Sequence, residues 1–336
     1  MTPRLRALAA TAASVPITLF GLTVVTFLIG RVVPIDPVLA IVGDRAPQDV
    51  VERARLELGL DQPLLVQFWH YLGQILSGDL GRSVMTANPV TQDILRYFPA
   101  TFELATAAII LAVAIGVPLG VLAATRQDSW VDQAVRLFCL AGHSVPVFVL
   151  GLLSLMVFYA TLHWAPGPGR QGILFEDMVD IRTGLLTVDT ALAGDWPAFR
   201  DALWHLAQPA GVLALFALAY IARMTRAFML AELSQEYITT ARAKGLSPLR
   251  IIWRHAFGNV LVPLVTVLFL TYAGLLEGAV LTETIFAWPG LGQYLTVSLL
   301  NADMNAVLGA TLVVGLIYVV LNLLADFLYR VMDPRV

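Results

Sequence analysis

Lysine and cysteine each occur once in the 336 residues, at Lys244 and Cys139, and charged residues of all kinds make up only 13%. A soluble domain carries about 25%, so the deficit is itself informative. A single cysteine excludes an intramolecular disulfide, and its apolar surroundings read as those of a small packing residue. A P-loop needs a glycine-rich run ahead of its lysine, and Lys244 lacks one, so no ATP site of that kind is present. No HExxH zinc pattern occurs, and the five histidines are scattered without ligand spacing. No paired-carboxylate hydrolase signature stands out. The net charge of −3 gives no basic field for nucleic acid.

What is abundant is apolar: 58% of the residues are hydrophobic. A soluble core cannot absorb that excess, whereas a bilayer lets apolar side chains face outward. A membrane helix needs about 20 mostly apolar residues. Six runs qualify, at 10–30, 102–124, 137–160, 207–222, 258–281 and 304–329. Only helices can span as isolated segments, because lipid offers no partner for an open backbone. The first run continues past Ala9–Ala13, too long for the apolar core of a cleaved signal peptide, so it reads as a retained span.

If the N-terminus is cytoplasmic, six spans return the C-terminus to the same side. The cytoplasmic pieces 1–9, 125–136, 223–257 and 330–336 then hold 12 of the basic residues, while loop 282–303 holds none. Loops 31–101 and 161–206 hold nine, but long loops weigh little in the positive-inside rule. The first long loop also carries order. Asp61-Gln62-Pro63 resembles a helix start, and Leu65, Phe68, Trp69, Leu72, Ile75 and Leu76 recur at helical spacing, predicting an amphipathic helix lying on the membrane or on the bundle. Within the spans, Gly116 and Gly120 have small-xxx-small spacing, and Gly142 and Pro146 predict a kink.

Segment 234–263 reads as two short helices. Ser234 is a candidate cap, the first helix runs from about Gln235 to Lys244, and Gly245 closes it in a left-handed conformation. Ser247 and Pro248 start a second helix with Leu249, Ile252, Trp253, Ala256 and Val260 on one stripe. Such a helix–glycine–helix suits a groove in a partner protein: Tyr237 and Ala241 share one face, Ala241 and Ala243 permit close approach, and Arg242 and Lys244 can meet acidic groups. An ordinary inter-span loop is the plain alternative.

These residues, in this order, resemble the peptide-type ABC importer permeases. The likeness runs through Glu236-Tyr237, Thr240-Ala241-Arg242-Ala243-Lys244-Gly245-Leu246, Arg254-His255-Ala256, Asn259 and Pro263. It extends over nearly the whole chain: Pro34, Asp36-Pro37, Leu58 to Pro63, Gly78-Asp79-Leu80-Gly81, Pro99-Ala100-Thr101, Glu103-Leu104, Thr282 to Phe286, Trp288 to Gly292 and Asp333-Pro334-Arg335. Thr183 to Leu186 and Asp189-Thr190-Ala191 look like dipeptide permeases in particular. Three departures stand out. Ile35 replaces the usual glycine before Asp36. Thr239-Thr240-Ala241 stands where the wider family has Glu-Ala-Ala. The spacing from Gly245 to Pro263 exceeds that of sugar-type permeases.

The resemblance implies an all-α integral membrane protein of about six transmembrane helices with a structured first extracytoplasmic loop, in a bacterial inner membrane with both termini cytoplasmic. Residues 1–30 would be the N-terminus and first span, 31–101 the outer loop with its amphipathic helix, and 102–336 the core permease domain. The chain would be non-catalytic and hold no cofactor of its own. Two ATP-binding subunits would carry ATP and magnesium, a second homologous permease would complete the channel, and an extracytoplasmic solute-binding protein would deliver a peptide-like substrate. ATPase coupling would fall on Glu236, Tyr237, Ala241, Arg242, Ala243, Lys244 and Gly245. Glu277 is a carboxylate within an apolar span, a costly placement that points to function; it would meet a substrate ammonium group, pair with an arginine of the second permease, or lie near the outer interface. Thr282, Glu283, His143 and Ser144 are further pathway candidates. The alternatives are an ion-gradient-driven secondary transporter, an intramembrane enzyme and an assembly subunit. No clear internal repeat favours the first, and no catalytic cluster favours the second.

Overall fold

The computed structural model describes residues 3–332 apart from 33–37, 39–41, 44–45, 58 and 177. The motif residues Pro34 to Pro37, Leu58 and Asp333 to Arg335 lie outside the described residues. Helices in chain order are α1 (Pro3–Val32), α2 (Gln48–Glu57), α3 (Leu64–Leu76), α4 (Val90–Thr125), α5 (Trp130–Ser144), α6 (Val147–Ser154), α7 (Leu186–Ala193), α8 (Trp196–Leu233), α9 (Glu236–Ala243), α10 (Pro248–Ile285), α11 (Leu291–Leu300) and α12 (Met304–Met332). No strand occurs among the described residues.

Four helices are long and apolar enough to cross a membrane unbroken: α4, α8, α10 and Met304–Leu328 of α12. Their apolar runs sit inside longer helices. Helix α8, for example, has 38 residues, about 57 Å at 1.5 Å per residue, against a hydrocarbon core of about 30 Å. Helix α1 supplies the first apolar run, with Val15–Arg31 as its apolar part. The third run differs from a single straight helix: Trp130–Gly142 and Val147–Thr161 are bent by 93°. Pro146 forces Val145 out of helical geometry, to φ −94° and ψ 125°, and α6 then widens into a π-helical stretch over Leu155–Thr161.

The chain divides into two compact units. The first comprises residues 1–99 and 290–319. Its core joins Val90, Ile94, Leu291, Tyr294, Ala306 and Ala310. The buried carboxylates Asp93 and Asp303 are both satisfied. Asp93 accepts from Thr86 and from the Tyr294 hydroxyl, and Asp303 from the Ser83 hydroxyl at 2.5 Å and the Met85 amide. The expected amphipathic helix is α3. It packs Phe68 and Tyr71 on Phe27 of α1 and leaves Leu65, Trp69 and Leu76 exposed.

The second unit comprises residues 100–289 and 320–336. Its core gathers Leu104, Ile221, Met229, Ile238, Val260, Leu264 and Trp288. Gly116 and Gly120 bring α4 against α8 so closely that a Cβ at Gly120 would lie 2.6 Å from the Ala222 carbonyl oxygen. Asp132, fully buried at the start of α5, receives both Nε and Nη2 of Arg226 from α8 at 2.6 Å, the bidentate geometry that suits a desolvated ion pair.

Candidate coupling and pathway sites

The hairpin at residues 234–252 is built from helix-end chemistry. Ser234 closes α8: its amide still reaches the Leu230 carbonyl, and its Oγ donates to Ala231 O at 2.8 Å. The N-cap position of α9 therefore falls to Gln235, not Ser234, and no side chain caps it. Gly245 takes φ +74°, open to glycine at little cost, and its amide meets Arg242 O at 2.9 Å while Leu246 N meets Ala241 O. Ser247 and Pro248 then start α10. A π-helical stretch, Ile251–Ala256, leads without a break into the long apolar span.

Helix α9 has an inner and an outer face. Ile238 and Ala241 point inward and are buried. Glu236, Arg242, Ala243, Lys244 and Gly245 are exposed, and Tyr237 is 38% exposed. Ala241 thus departs from the face expected to meet a partner, because the 3.6-residue period pairs it with Ile238 in the apolar core. Tyr237 donates to Glu232 Oε2 at 2.5 Å, and Asn259 Nδ2 reaches Tyr237 Oη at 3.0 Å and Glu232 Oε2 at 3.3 Å. One hydroxyl so joins the end of α8, α9 and the start of α10. Burial, reinforced by the Glu232 carboxylate, pushes the Tyr237 hydroxyl up to about 12. Glu232 is absent from the sequence reading; its only linear signal is a carboxylate five residues ahead of Tyr237. Beside the hairpin lies a cleft of about 630 Å³ lined by Arg126, Gln127, Leu230, Arg242, Leu246 and Ile252, among others.

The pathway candidates separate. Glu277 is exposed on α10, on a stripe with Leu270, Gly274, Gly278 and Leu281. A Cβ at Gly274 or Gly278 would meet nothing within 4 Å, so this side of the helix is open. Glu283, a pathway candidate by sequence, is fully buried and accepts from the Thr101 hydroxyl at 2.6 Å. Its partner is 182 residues away in sequence, and no local pattern announces that bond. Thr282 is buried beside it, and its hydroxyl has no hydrogen-bond partner among the described residues. Ser144 is exposed and bonds back to Leu140 O. The His143 side chain lies outside the described residues. These five residues form no joint cluster among the described contacts.

A second ordered site was not anticipated. The connection between α6 and α8 is strapped down by buried charge. Arg170 Nε donates to Glu103 Oε2 at 3.1 Å, its Nη2 donates to Gly184 O at 2.7 Å, and its guanidinium lies 5.7 Å from the Trp288 ring centre. Glu103 also accepts from the amide and hydroxyl of Thr187. Trp288 Nε1 donates to Ala100 O at 2.9 Å. Asp189 is buried, which works against its charge, but donors at Thr183, Gly184 and Arg182 outweigh burial and hold its carboxyl below the usual range. Among the described residues no group of three or more His, Cys, Asp or Glu is placed to hold a metal.

Family models match almost the whole length. The binding-protein-dependent transport system inner membrane component matches residues 116–336, and the N-terminal component of such systems matches residues 4–105. The chain belongs to this family of ABC importer permeases. The permease is 44% identical to the probable D,D-dipeptide transport system permease protein DdpB of Escherichia coli K12, over 94% of this chain and 93% of that one. It is 42% identical to the di/tripeptide transport system permease protein DppB of Pseudomonas aeruginosa, over 95% of each. A chain from the inward-facing MetNI methionine ABC transporter superposes with a TM-score of 0.50 and 18% identity, covering 71% of this permease and 96% of that chain; this likeness concerns the fold alone. The permease is therefore a multi-pass inner-membrane subunit and not an enzyme, in a system whose ATP hydrolysis resides on separate subunits. Partners of the ATPase and binding-protein kinds follow from the family. Nothing in these findings favours ion-gradient-driven transport.

Proposed function

We propose that this permease forms half of a translocation pathway for dipeptides or similar short peptides. The named relatives carry the substrate class, through 44% and 42% identity over nearly full length. In this reading both termini are cytoplasmic, one homologous permease completes the channel, two ATPases bind ATP and magnesium, and one extracytoplasmic binding protein delivers the peptide.

The observation that carries the mechanism is the unbroken helix Pro248–Ile285. Its first turns belong to the hairpin, and its apolar length carries Glu277. An ATPase gripping the outer face of α9 at Glu236, Arg242, Ala243, Lys244 and Gly245 would move α8 and α10 together, because Tyr237 ties all three. ATP-driven closure would turn the pathway outward and hydrolysis would reset it, an alternating movement between two packed states. Glu277, exposed where an apolar span gives a carboxylate no other relief, would receive the peptide's ammonium group.

The test is uptake of a labelled dipeptide into proteoliposomes holding the full complex. We expect dependence on ATP and on the binding protein; uptake driven by an ion gradient without ATP would overturn the reading. Glu277→Gln is expected to slow peptides with a free N-terminus more than N-acetylated ones. Equal kinetics for both would assign Glu277 to packing or to the second permease.

A further inference from the structure

The cleft beside the coupling hairpin carries charge that no carboxylate answers. Arg126, in the turn after α4, and Arg242, at the end of α9, both line it, and no aspartate or glutamate does. Neither guanidinium makes a hydrogen bond or ion pair among the described residues. The neighbouring acids are engaged or lie aside. Asp132 holds Arg226 and Glu232 holds Tyr237, while Asp128 and Glu236 are exposed outside the lining. The rest of the wall is mostly apolar, with Leu230, Leu233, Leu246 and Ile252. Two unanswered positive charges beside an apolar wall suit an anion that carries an apolar body.

The depth of the cleft identifies that anion. Helices α4 and α8 run in the same direction, with Gly116 against Leu218 and Ile221 and Gly120 against Ala222 and Thr225. Carried on at the same register, Thr125, the last residue of α4, comes level with Phe228 and Met229 of α8. Leu230 and Leu233 then lie within about 7 Å of the end of the second span, at about 1.5 Å per residue. The headgroup layer reaches about 5–8 Å beyond the hydrocarbon core, so the cleft lies at headgroup level. Trp130, in the next helix and 79% exposed, has the placement of an interfacial tryptophan. A nucleotide or a free phosphate at this depth would leave the apolar wall wet.

We propose that the cleft seats the phosphate of an anionic phospholipid of the cytoplasmic leaflet between Arg126 and Arg242, with an acyl chain over the leucine and isoleucine wall. The site joins the turn after α4 to the end of α9. A seated lipid therefore braces the hairpin and sets how fully ATP hydrolysis is converted into uptake. Arg242 also belongs to the face offered to the ATPase, so Arg126 is the residue that isolates the lipid. This proposal rests on the coupling reading above and adds a lipid dependence to it.

The test uses the complete transporter with its binding protein in proteoliposomes, reading peptide uptake per ATP hydrolysed. The vesicles are phosphatidylcholine alone, or phosphatidylcholine and phosphatidylglycerol in equal parts. Phosphatidylglycerol is expected to raise the ratio about fivefold in the wild type. Arg126→Gln should match the wild type in phosphatidylcholine and lose most of the rise, and Arg126→Lys, which keeps the charge, should keep part of it. Arg250→Gln alters an exposed arginine of the same hairpin outside the cleft and should keep all of it. Mass spectrometry of the purified complexes should find about fivefold less phosphatidylglycerol retained by Arg126→Gln.

An equal rise in the wild type and Arg126→Gln would overturn the site. An equal loss in Arg250→Gln would overturn it in favour of general surface charge. Glycerol phosphate that reproduces the rise in phosphatidylcholine vesicles would replace the lipid by a soluble anion. Loss of the ATPase subunits from purified Arg126→Gln would replace it by an acidic protein surface. Uptake coupled to ATP but equal in both lipids would remove the lipid site alone. No ATP-coupled uptake in either lipid would remove the importer reading and the site with it.

Discussion

The strap at 169–189 and the hairpin at 234–252 are both short connections between spans, yet opposite physics holds them. The strap is locked by charges out of water: Glu103 and Arg170 have side chains only 5% and 14% exposed. The hairpin is seated by apolar contacts at Ile238, Ala241 and Ile251, with one partly exposed tyrosine hydroxyl, bonded to Glu232 and Asn259, as its cross-tie. Buried pairs resist partial opening, because separating them strands a desolvated charge. Apolar seating has no preferred direction and tolerates small rotations. The lesson is that a connection locked by buried charge and one seated by apolar contact differ in how much rotation each tolerates, which is what the proposed coupling role of the hairpin requires.

The largest way to break this contrast is at the strap. Glu103→Ala leaves Arg170 buried without its carboxylate and should cost about 3–5 kcal/mol, seen as a lowered unfolding temperature of the detergent-solubilised complex. Replacing both members, Glu103→Leu with Arg170→Met, should recover most of that loss; failure to recover would mean that the bonds to Gly184 and Thr187, and not the charge pair, hold the strap. Next comes Gly245→Pro. A φ of +74° is closed to proline, and the local strain of about 1–3 kcal/mol should let ATP hydrolysis continue while uptake falls at least tenfold. Normal uptake in an assembled complex would remove the hairpin from coupling. Tyr237→Phe removes both bonds of one partly exposed hydroxyl and should be milder, about 1–2 kcal/mol; it should lower peptides moved per ATP with a smaller fall in unfolding temperature than Glu103→Ala.

The smallest effect concerns pH. The Tyr237 hydroxyl is pushed up to about 12 from 10.0, so its contribution is complete below about pH 10 and is lost as pH rises through about 12. The ratio of uptake to hydrolysis should therefore be flat from pH 6 to 9 as far as Tyr237 is concerned. A step in that ratio within this window, abolished by Tyr237→Phe, would show the hydroxyl titrating while in use.

Much of the fold is legible in the linear sequence because apolar runs and helix-stop residues act locally. Gly245 and Pro146 each do what their backbone restrictions require, and Gly116 and Gly120 allow the close helix approach their spacing announces. The helix ends are less legible. Helix α4 begins at Val90, well before its apolar run at 102, since Asp93 is made acceptable by donors at Thr86, Asn88 and Tyr294 that folding supplies. The candidate polar residues divide the same way. Glu277 is conspicuous because it interrupts an apolar run. Arg170 and Glu232 look like ordinary charges, and Glu103 shows only its place in a motif, until folding brings Trp288, Asn259 and Thr187 to them. Glu283 misleads for the same reason, as its partner Thr101 belongs to another span.

Helix α8 has a consequence for how the protein is made. Among the four unbroken spans it has the lowest mean hydropathy, 1.5, and the most buried apolar window, 67%, whereas α12 reaches 2.4 with 17% buried. A segment leaving the translocation machinery is judged by its own partitioning into lipid, and α8 offers the weakest case for release. The helix it packs on most extensively, α10, follows it in synthesis. The span with the least apolar surface to offer lipid thus owes its place to a neighbour translated after it.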